Sequence, residues 1–332
     1  MSGSSPKVTV VIPSWNGAAW LPGCLGALSA QEFRGFDVVL VDNGSSDDSV
    51  GFVRQHYPEV RLLCLAENQG FARAVNAGIA ASRSEYVALL NNDTRARPAW
   101  LASLVRTMEQ SPPEVGCLAS KMLQMSDPTL VDDAGDLLSW QGAATKRGHG
   151  RPASEFTEVD EVFSPCAGAA LYRRAFLEAL GGFDERFFAY LEDVDLGLRG
   201  RLRDYRCLYV PTAEVLHHGH GTAIPQARYV RLTTRNRLLL LAKNIPLRLL
   251  LKHAPQLFYG QLYFLIVHRK PWHSLAGSLA VLPLLPHVLR ARRANLRGMR
   301  ISPNELERML GDEMAEPPLR RLVMNRLRRL AP

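Results

Sequence analysis

The sequence predicts an α/β protein built on a doubly wound, mostly parallel sheet. Three observations carry that prediction. Apolar runs rich in β-branched residues recur early, at Val8–Ile12, Val38–Val41, Val60–Leu65 and Tyr86–Leu90. Each run ends in a cluster of Asn, Asp, Ser or Gly. A helical pattern follows each cluster, so strand, loop and helix repeat four times in about the first 110 residues.

Val8–Ile12 has no polar interruption, as a strand covered on both faces requires. Pro13-Ser14-Trp15-Asn16-Gly17 ends it, and a helix runs to Ala30. The second run ends at Asp42-Asn43-Gly44-Ser45-Ser46-Asp47-Asp48, where Ser46 or Asp47 suits the cap of a helix reaching about His56. After the third, Asn68-Gln69-Gly70 turns into the Ala-rich helix Phe71–Ser82. The fourth ends at Asn91-Asn92-Asp93-Thr94, and Pro98 opens a helix, where its missing N–H costs nothing. Ligands of such sheets bind beyond the carboxyl ends of the strands. Taken singly, each cluster is ordinary turn chemistry. Four of them converging there, with the poor turn residue Trp15 among them, mark a binding crevice.

Farther on, Asp184, Glu192, Asp193 and Asp195 lie within or just before the stretch FFAYLEDVDLGLR. Leu191, Val194, Leu198 and Leu202 keep helical spacing, so a helix is expected over 191–202. Acids suit its first turn, and Asp195 pairs with Arg199 four residues on. Glu192 and Asp193 follow Phe187, Phe188 and Tyr190, and an apolar wall raises carboxylate pKa values toward those of a general base. On these residues alone, a structural helix start and a catalytic pair both stand. Gly181-Gly182-Phe183-Asp184 reads as a mobile loop. Within 111–165, Asp132, Asp133 and Asp136 fall in a loop-like stretch suited to substrate selectivity, and His149 and Arg151 read as exposed loop.

The chain has 332 residues, 47% hydrophobic, enough for a full core. Its five cysteines form no C-x-x-C pair and read as reduced core residues. G-x-G-x-x-G and G-x-x-x-x-G-K-[ST] are both absent, which argues against a nicotinamide Rossmann enzyme and a P-loop protein. A phosphate ligand would then need another neutraliser, for which a divalent metal on Asp93 is the natural candidate.

In order, VTVVIPSWNGAAWL, VLVDNGSSDDSV, ENQGFARAVNAGI, YVALLNNDT, CAGAALYRRAFLEALGGFDERFF, YLEDVDLGLRGR and AEVLHHGHGT resemble the blocks of family-2 inverting glycosyltransferases of GT-A fold, over roughly residues 7–240. Within that family the likeness is to bacterial rhamnosyltransferase-type enzymes of cell-surface polysaccharide assembly. The resemblance implies transfer of a hexose or deoxyhexose, rhamnose for example, from a nucleotide-diphosphate sugar to a lipid-linked or polysaccharide acceptor. It implies that Pro13, Trp15, Asp42, Asn43, Asn68, Arg73, Asn76 and Asn92 bind the nucleotide. By the same resemblance Asp93 and His217 hold Mn²⁺ or Mg²⁺, with His218 and His220 as competitors of His217. Asn91 stands where the first acid of the family's metal motif usually lies. Asp193 is implied as the base and Glu192 as the residue that orients the acceptor. A non-catalytic, membrane-associated sugar-nucleotide or glycan-binding protein is the alternative. A sugar-1-phosphate nucleotidyltransferase would want a Gly-rich basic loop after the first strand, and PSWNGAAW is not one.

Charge divides the chain. Residues 228–332 hold 20 Lys/Arg and 5 Asp/Glu, a balance of +15; residues 1–227 hold 20 and 27, a balance of −7. The expected organisation is a catalytic domain at 1–227, its nucleotide half at about 1–110 and its acceptor half at about 111–227, then a basic, Leu-rich helical extension at 228–332. No apolar run in the extension is long and clean enough for a span. Interfacial helices on a membrane surface are expected instead, with a short basic helix at Pro317–Pro332. No nucleic-acid motif accompanies the charge, so no nucleic-acid partner is expected. MSGSSPK carries no apolar targeting core, which fits a cytoplasmic enzyme at the inner face of the membrane.

Overall fold

The computed structural model describes residues 6–219 and 224–311. Thus His220 and the helix expected at Pro317–Pro332 lie outside the described residues.

The first half alternates as the sequence indicates. The order is β1 (Val8–Ser14), α1 (Leu21–Ser29), β2 (Phe36–Asp42), α2 (Ser49–His56), β3 (Arg61–Cys64), α3 (Phe71–Ala81), β4 (Tyr86–Leu90), β5 (Thr94–Ala96) and α4 (Trp100–Gln110). β1 pairs in parallel with β2 and β4, and β2 with β3. Two apolar layers sandwich the sheet: α1 and α4 cover one face, α3 the other. Gly78 of α3 lets that helix approach closely, since a Cβ there would meet Val11 at 2.3 Å. β3 is the edge strand, and its terminal Cys64 is exposed, so not every cysteine is a core residue.

The second half is less regular. It runs β6 (Val115–Gln124), β7 (Val131–Asp133), β8 (Asp136–Leu138), β9 (Ala144–Lys146), β10 (Asp160–Val162), β11 (Ala169–Arg173), α5 (Arg174–Leu180), α6 (Glu192–Leu202) and β12 (Arg206–His217). β11 enters antiparallel between β4 and β6, and β12 runs parallel to β6. The main path is therefore β10-β12-β6-β11-β4-β1-β2-β3, with only β10 and β11 reversed. This layout carries residue 168, the C-terminal end of β4 and the start of α6 to the same side as the β1 and β2 termini.

α7 (Gln226–Asn244), α8 (Leu247–Lys252), α9 (Ala254–His268), α10 (Pro271–Leu279), α11 (Leu285–Arg297) and α12 (Pro303–Met309) form the extension. α7 shares an apolar cluster with α6, in which Leu239, Leu240 and Ile245 meet Phe187, Val194 and Leu198. Two of its basic residues, Arg237 and Lys243, turn inward. Lys243 is 1% exposed and its Nζ lies 3.0 Å from Asp195 Oδ1 and 2.5 Å from Asp184 Oδ2. Asp195 also accepts from Arg199 Nε at 2.8 Å and Asn244 Nδ2 at 2.8 Å. His287 Nε2 of α11 closes the cluster on Asp184 at 2.8 Å. Burial alone would push the carboxyl groups of Asp195 and Asp184 up, but the ammonium of Lys243 overrides it and holds both below the usual range. The loop read as mobile is thereby tied down, and Arg199 Nη2 adds a bond to the Gly182 carbonyl at 2.9 Å.

The stretch Pro271–Arg297 is long and apolar enough, by length and composition, to cross a membrane, with a mean hydropathy of 1.3 and 17% of its apolar window buried. This departs from the expectation that no run qualifies. Pro283 and Pro286 sit in the first turns of the segments they open, where no N–H is needed, and so do not end the helical run.

Removing Lys243 takes the shared ammonium from two buried carboxylates, leaving Asp195 to Arg199 and Asn244 and Asp184 to His287. Lys243→Ala is expected to cost about 3–5 kcal/mol, read by chemical denaturation. Because the folded-state pKa values of Asp184 and Asp195 are depressed, their contribution is complete above about pH 4 and is lost as pH falls through the folded values. The wild-type melting temperature should therefore drop on acidification below that point.

Candidate active site

The strand ends open on one cavity of about 1200 Å³. Pro13, Ser14 and Trp15 line it from β1, Asn43 from beyond β2, Asn68 and Gly70 from the turn before α3, and Asn91, Asn92 and Asp93 from beyond β4. Glu192 and Asp193 line it from the start of α6, and His217 from the end of β12. Residues far apart in sequence meet here because the sheet aligns its carboxyl ends.

Local chemistry sets the wall. Asn43 Nδ2 donates to Asn68 Oδ1 at 3.2 Å and to the Gly70 carbonyl at 3.1 Å, while its Oδ1 accepts from Gln69 N at 2.9 Å. Asn92 Nδ2 donates to Ser14 Oγ at 2.9 Å, stitching β4 to β1. Gly17 allows that pairing, since a Cβ there would lie 2.3 Å from Asn92 Nδ2. Asp42 is buried behind the wall rather than lining the cavity; its Oδ2 accepts from Ser45 N at 3.1 Å, and its buried Oδ1 has no hydrogen-bond partner.

Two expected members are elsewhere. Arg73 and Asn76 do not line this cavity. Arg73 Nη1 pairs with Glu185 Oε2 at 2.6 Å, and Asn76 Nδ2 donates to the Phe183 carbonyl at 2.8 Å and to Glu185 Oε1 at 3.1 Å. Three residues apart on α3, they share a face, and that face holds the 183–185 turn instead of the strand ends. In this structure both side chains therefore stand beside the cavity lining and not in it.

Of His217 and His218, His217 lines the cavity. His218 stacks its ring against Trp20, centroids 4.2 Å apart, and does not line it. His217 Nε2 lies 3.5 Å from Asp93 Oδ1, and its Nδ1 is 2.7 Å from Asp132 Oδ2. Burial would lower the imidazole pKa, but these carboxylates push it up to about 9. Burial would raise Asp132, yet His217 and Lys146, whose Nζ is 2.8 Å away, hold it at about 2. Asp132 is thus the hub of this corner, and His149 bonds its carbonyl at 2.8 Å. His149 is exposed in a turn, as expected, and also borders the cavity, while Arg151 pairs with Glu155.

A run of acids completes the interior. Asp133 is pushed up to about 7 chiefly by burial, and Asp136 is raised by burial and by Asp133. Burial raises Asp193, while bonds from Ala167 N at 3.1 Å and Val194 N at 2.9 Å oppose the rise and fix both its oxygens. Glu192 is raised by burial and by the charge of Asp193, and its buried Oε2 has no partner. The segment leading in is held by force of tertiary contact. Phe188, Tyr190 and Leu191 all have positive φ, at 64°, 75° and 67°. Asn236 Nδ2 of α7 donates to the carbonyls of Phe187, Ala189 and Tyr190 at 2.9, 2.9 and 2.8 Å. Asn236 did not stand out in the sequence as a site residue, and Asp132 drew notice only as one acid of a loop-like stretch, with no sign of its pairing to His217.

A model described as glycosyl transferase family 2 matches residues 9–181. An N-acetylglucosaminyl-diphospho-decaprenol L-rhamnosyltransferase of Mycobacterium tuberculosis is 31% identical over 245 residues, 67% of this chain and 79% of that protein. Among solved structures, GalNAc-T7 with UDP, GalNAc and Mn²⁺ aligns with a TM-score of 0.58 at 16% identity, over 70% of this chain and 48% of that one. A mannosyltransferase from Pyrobaculum calidifontis in complex with GDP-Man and Mn²⁺ aligns at 0.50 and 18% identity, over 90% and 82%. These two share the GT-A fold with the chain.

Asn236→Ala unpairs three carbonyls of a strained segment. A loss of about 1–3 kcal/mol in stability is expected. Amide hydrogen exchange should rise selectively over residues 187–193, and a uniform rise across the chain would count against local control.

Proposed function

Because the chain belongs to glycosyl transferase family 2, a family of sugar-transferring enzymes, we propose that it performs an inverting transfer from a nucleotide-diphosphate sugar to a lipid-linked or polysaccharide acceptor in cell-surface glycan synthesis. The observation that carries the reading is the single cavity that joins the stitched strand ends to the Glu192–Asp193 pair. The rhamnosyltransferase relative makes a deoxyhexose the first donor to test.

In this reading, the base lies toward Trp15, and Asp42 backs the nucleotide wall through its bond from Ser45 N. The acceptor hydroxyl approaches Asp193, attacks the anomeric carbon from the face opposite the diphosphate and gives its proton to the carboxylate. The carbon–oxygen bond to the diphosphate breaks, and the diphosphate leaves with the electron pair. The raised pKa of Asp193 strengthens it as a base, and its two backbone bonds hold it in place. Glu192 Oε2, buried and unpartnered, is available to hold the acceptor.

Asp93 and His217 fit a divalent cation as a two-ligand half-site. They pair a hard carboxylate with an imidazole whose other nitrogen is already oriented by Asp132. No group of three or more metal-binding side chains occurs among the described residues, so the donor's diphosphate oxygens would complete the shell. Bound Mn²⁺ or Mg²⁺ would offset the charge that develops on the leaving diphosphate. The basic extension supports placement on the inner face of the cell membrane.

Asp193→Asn is expected to abolish turnover while nucleotide-diphosphate affinity, read by calorimetry with UDP, dTDP and GDP, stays within about twofold. Turnover retained in that variant would remove Asp193 as base. Wild-type protein that binds none of the three would favour the binding-protein alternative. Asp132→Asn should weaken Mn²⁺ binding about 10–100-fold in the presence of nucleotide diphosphate, read by electron paramagnetic resonance. Unchanged Mn²⁺ affinity would leave Asp132 without an orienting role.

A further inference from the structure

α9 has two faces with opposite chemistry. Phe258, Leu262 and Ile266 repeat every four residues and are 72%, 41% and 41% exposed. Gly260, Phe264 and His268 repeat at the same spacing, displaced by two positions, and line the catalytic cavity. Two positions on a helix turn about 200°, so the exposed apolar row and the cavity row lie on opposite sides of one rod. The inner side is seated firmly. A Cβ on Gly260 would lie 2.0 Å from the Gln141 carbonyl oxygen, and the Arg237 guanidinium rests 4.7 Å from the Phe264 ring centroid.

An aromatic path connects that inner face to the catalytic pair. The Phe264 and His268 rings are 4.1 Å apart, His268 and Tyr229 5.6 Å, and Tyr229 and Tyr190 5.0 Å. Tyr190 stands two residues before Glu192. Aromatic faces of this kind suit the apolar faces of sugar rings and the first carbons of a lipid tail.

The outer face continues beyond α9. Among the described residues, 11 of the 13 exposed large hydrophobic side chains fall between Leu247 and Leu289, with Trp272 at 78%. Charge says what covers them. Between Glu214 and Glu305 the sequence contains no acidic residue and 14 Lys/Arg. Some of these are used internally, as Lys243 is, but Arg248, Arg269, Arg290 and Arg293 are exposed beside the apolar rows. An apolar surface rimmed by cations and free of acids is complementary to an anionic bilayer.

We propose that α9 is the port for a lipid-linked acceptor. Its Phe258/Leu262/Ile266 face rests in an anionic membrane and its Gly260/Phe264/His268 face walls the acceptor end of the cavity. The acceptor's polar head then reaches Glu192 and Asp193 past one helix while its tail stays in the bilayer. This rests on the transferase reading and narrows its acceptor to an amphiphile.

The test uses the full chain with vesicles of phosphatidylcholine, alone or with phosphatidylglycerol, and with or without a polyprenyl diphosphate. The wild type is expected to float with the anionic vesicles and not with the neutral ones. Phe258→Ser combined with Ile266→Ser should weaken that binding at least tenfold and leave nucleotide-diphosphate affinity unchanged, which also shows that the variant is folded. A photo-crosslinking amino acid at position 266 should label bulk phospholipid, and one at 264 should label the polyprenyl diphosphate. Labelling of residues 312–332 or of a second copy from position 266 would overturn the membrane face. Equal labelling of bulk lipid from both positions would overturn the port. Vesicle binding without nucleotide-diphosphate binding would fail the transferase reading and leave the membrane face standing.

Discussion

The buried ammonium of Lys243 between Asp184 and Asp195 is the contact on which the rest of the molecule depends. A charge so enclosed is tolerated only where opposite charges and hydrogen bonds meet it, and here both carboxylates do so, while Arg199 and Asn244 donate in turn to Asp195. The cluster joins three parts of the chain. Asp195 belongs to the helix that carries the catalytic pair, Asp184 to the loop before it, and Lys243 to the extension. The interaction therefore decides where α6 begins and how the basic helices are hung upon the sheet. A helical extension that reads as an appendage is, at α7, part of the active-site scaffold.

The same arrangement explains how an unfavourable backbone persists. Three non-glycine residues with positive φ immediately before Glu192 cost free energy that local interactions do not repay. Asn236 meets the freed carbonyls from α7, and Asp184 and Arg199 hold the loop from below. The outcome is a carboxylate pair at a helix N-terminus, buried but pointed at the cavity. Burial raises both groups, and the charge of Asp193 raises Glu192 further, which favours proton acceptance, while backbone bonds oppose the rise of Asp193 and orient it. The opposite corner follows contrary logic. Asp132 is kept ionised by His217 and Lys146, so one cavity holds a carboxylate tuned toward basicity and another tuned toward permanent charge.

Fold and acceptor chemistry meet at α9. A helix that lines a catalytic cavity with one row and exposes an apolar row opposite is short of partners unless something apolar lies outside. The acid-free basic stretch around it gives that outside an anionic character. The enzyme's orientation on a surface and the entry route of its acceptor then become one question of packing.

Much of this was written in local sequence. The four strand–loop–helix repeats are visible because a strand buried on both faces must be continuously apolar and because the chain turns on Asn, Asp, Ser and Gly. Glu192, Asp193, Asp93 and His217 were picked out by their place in ordered blocks, and all four line one cavity. The tertiary structure alone decided the rest. Arg73 and Asn76 look like nucleotide ligands in their block, yet the rotation of α3 gives them to Glu185 and Phe183, and rotation about a helix axis is settled by packing. Asp132, Asn236 and Lys243 lie in unremarkable contexts, since their roles come from partners 85, 46 to 49 and 48 to 59 residues away. Local sequence determines which segments are strand, turn and helix, because backbone preference and burial pattern are short-range. Which side chains face one another across the cavity is a long-range property, and only the assembled sheet and its docked helices determine it.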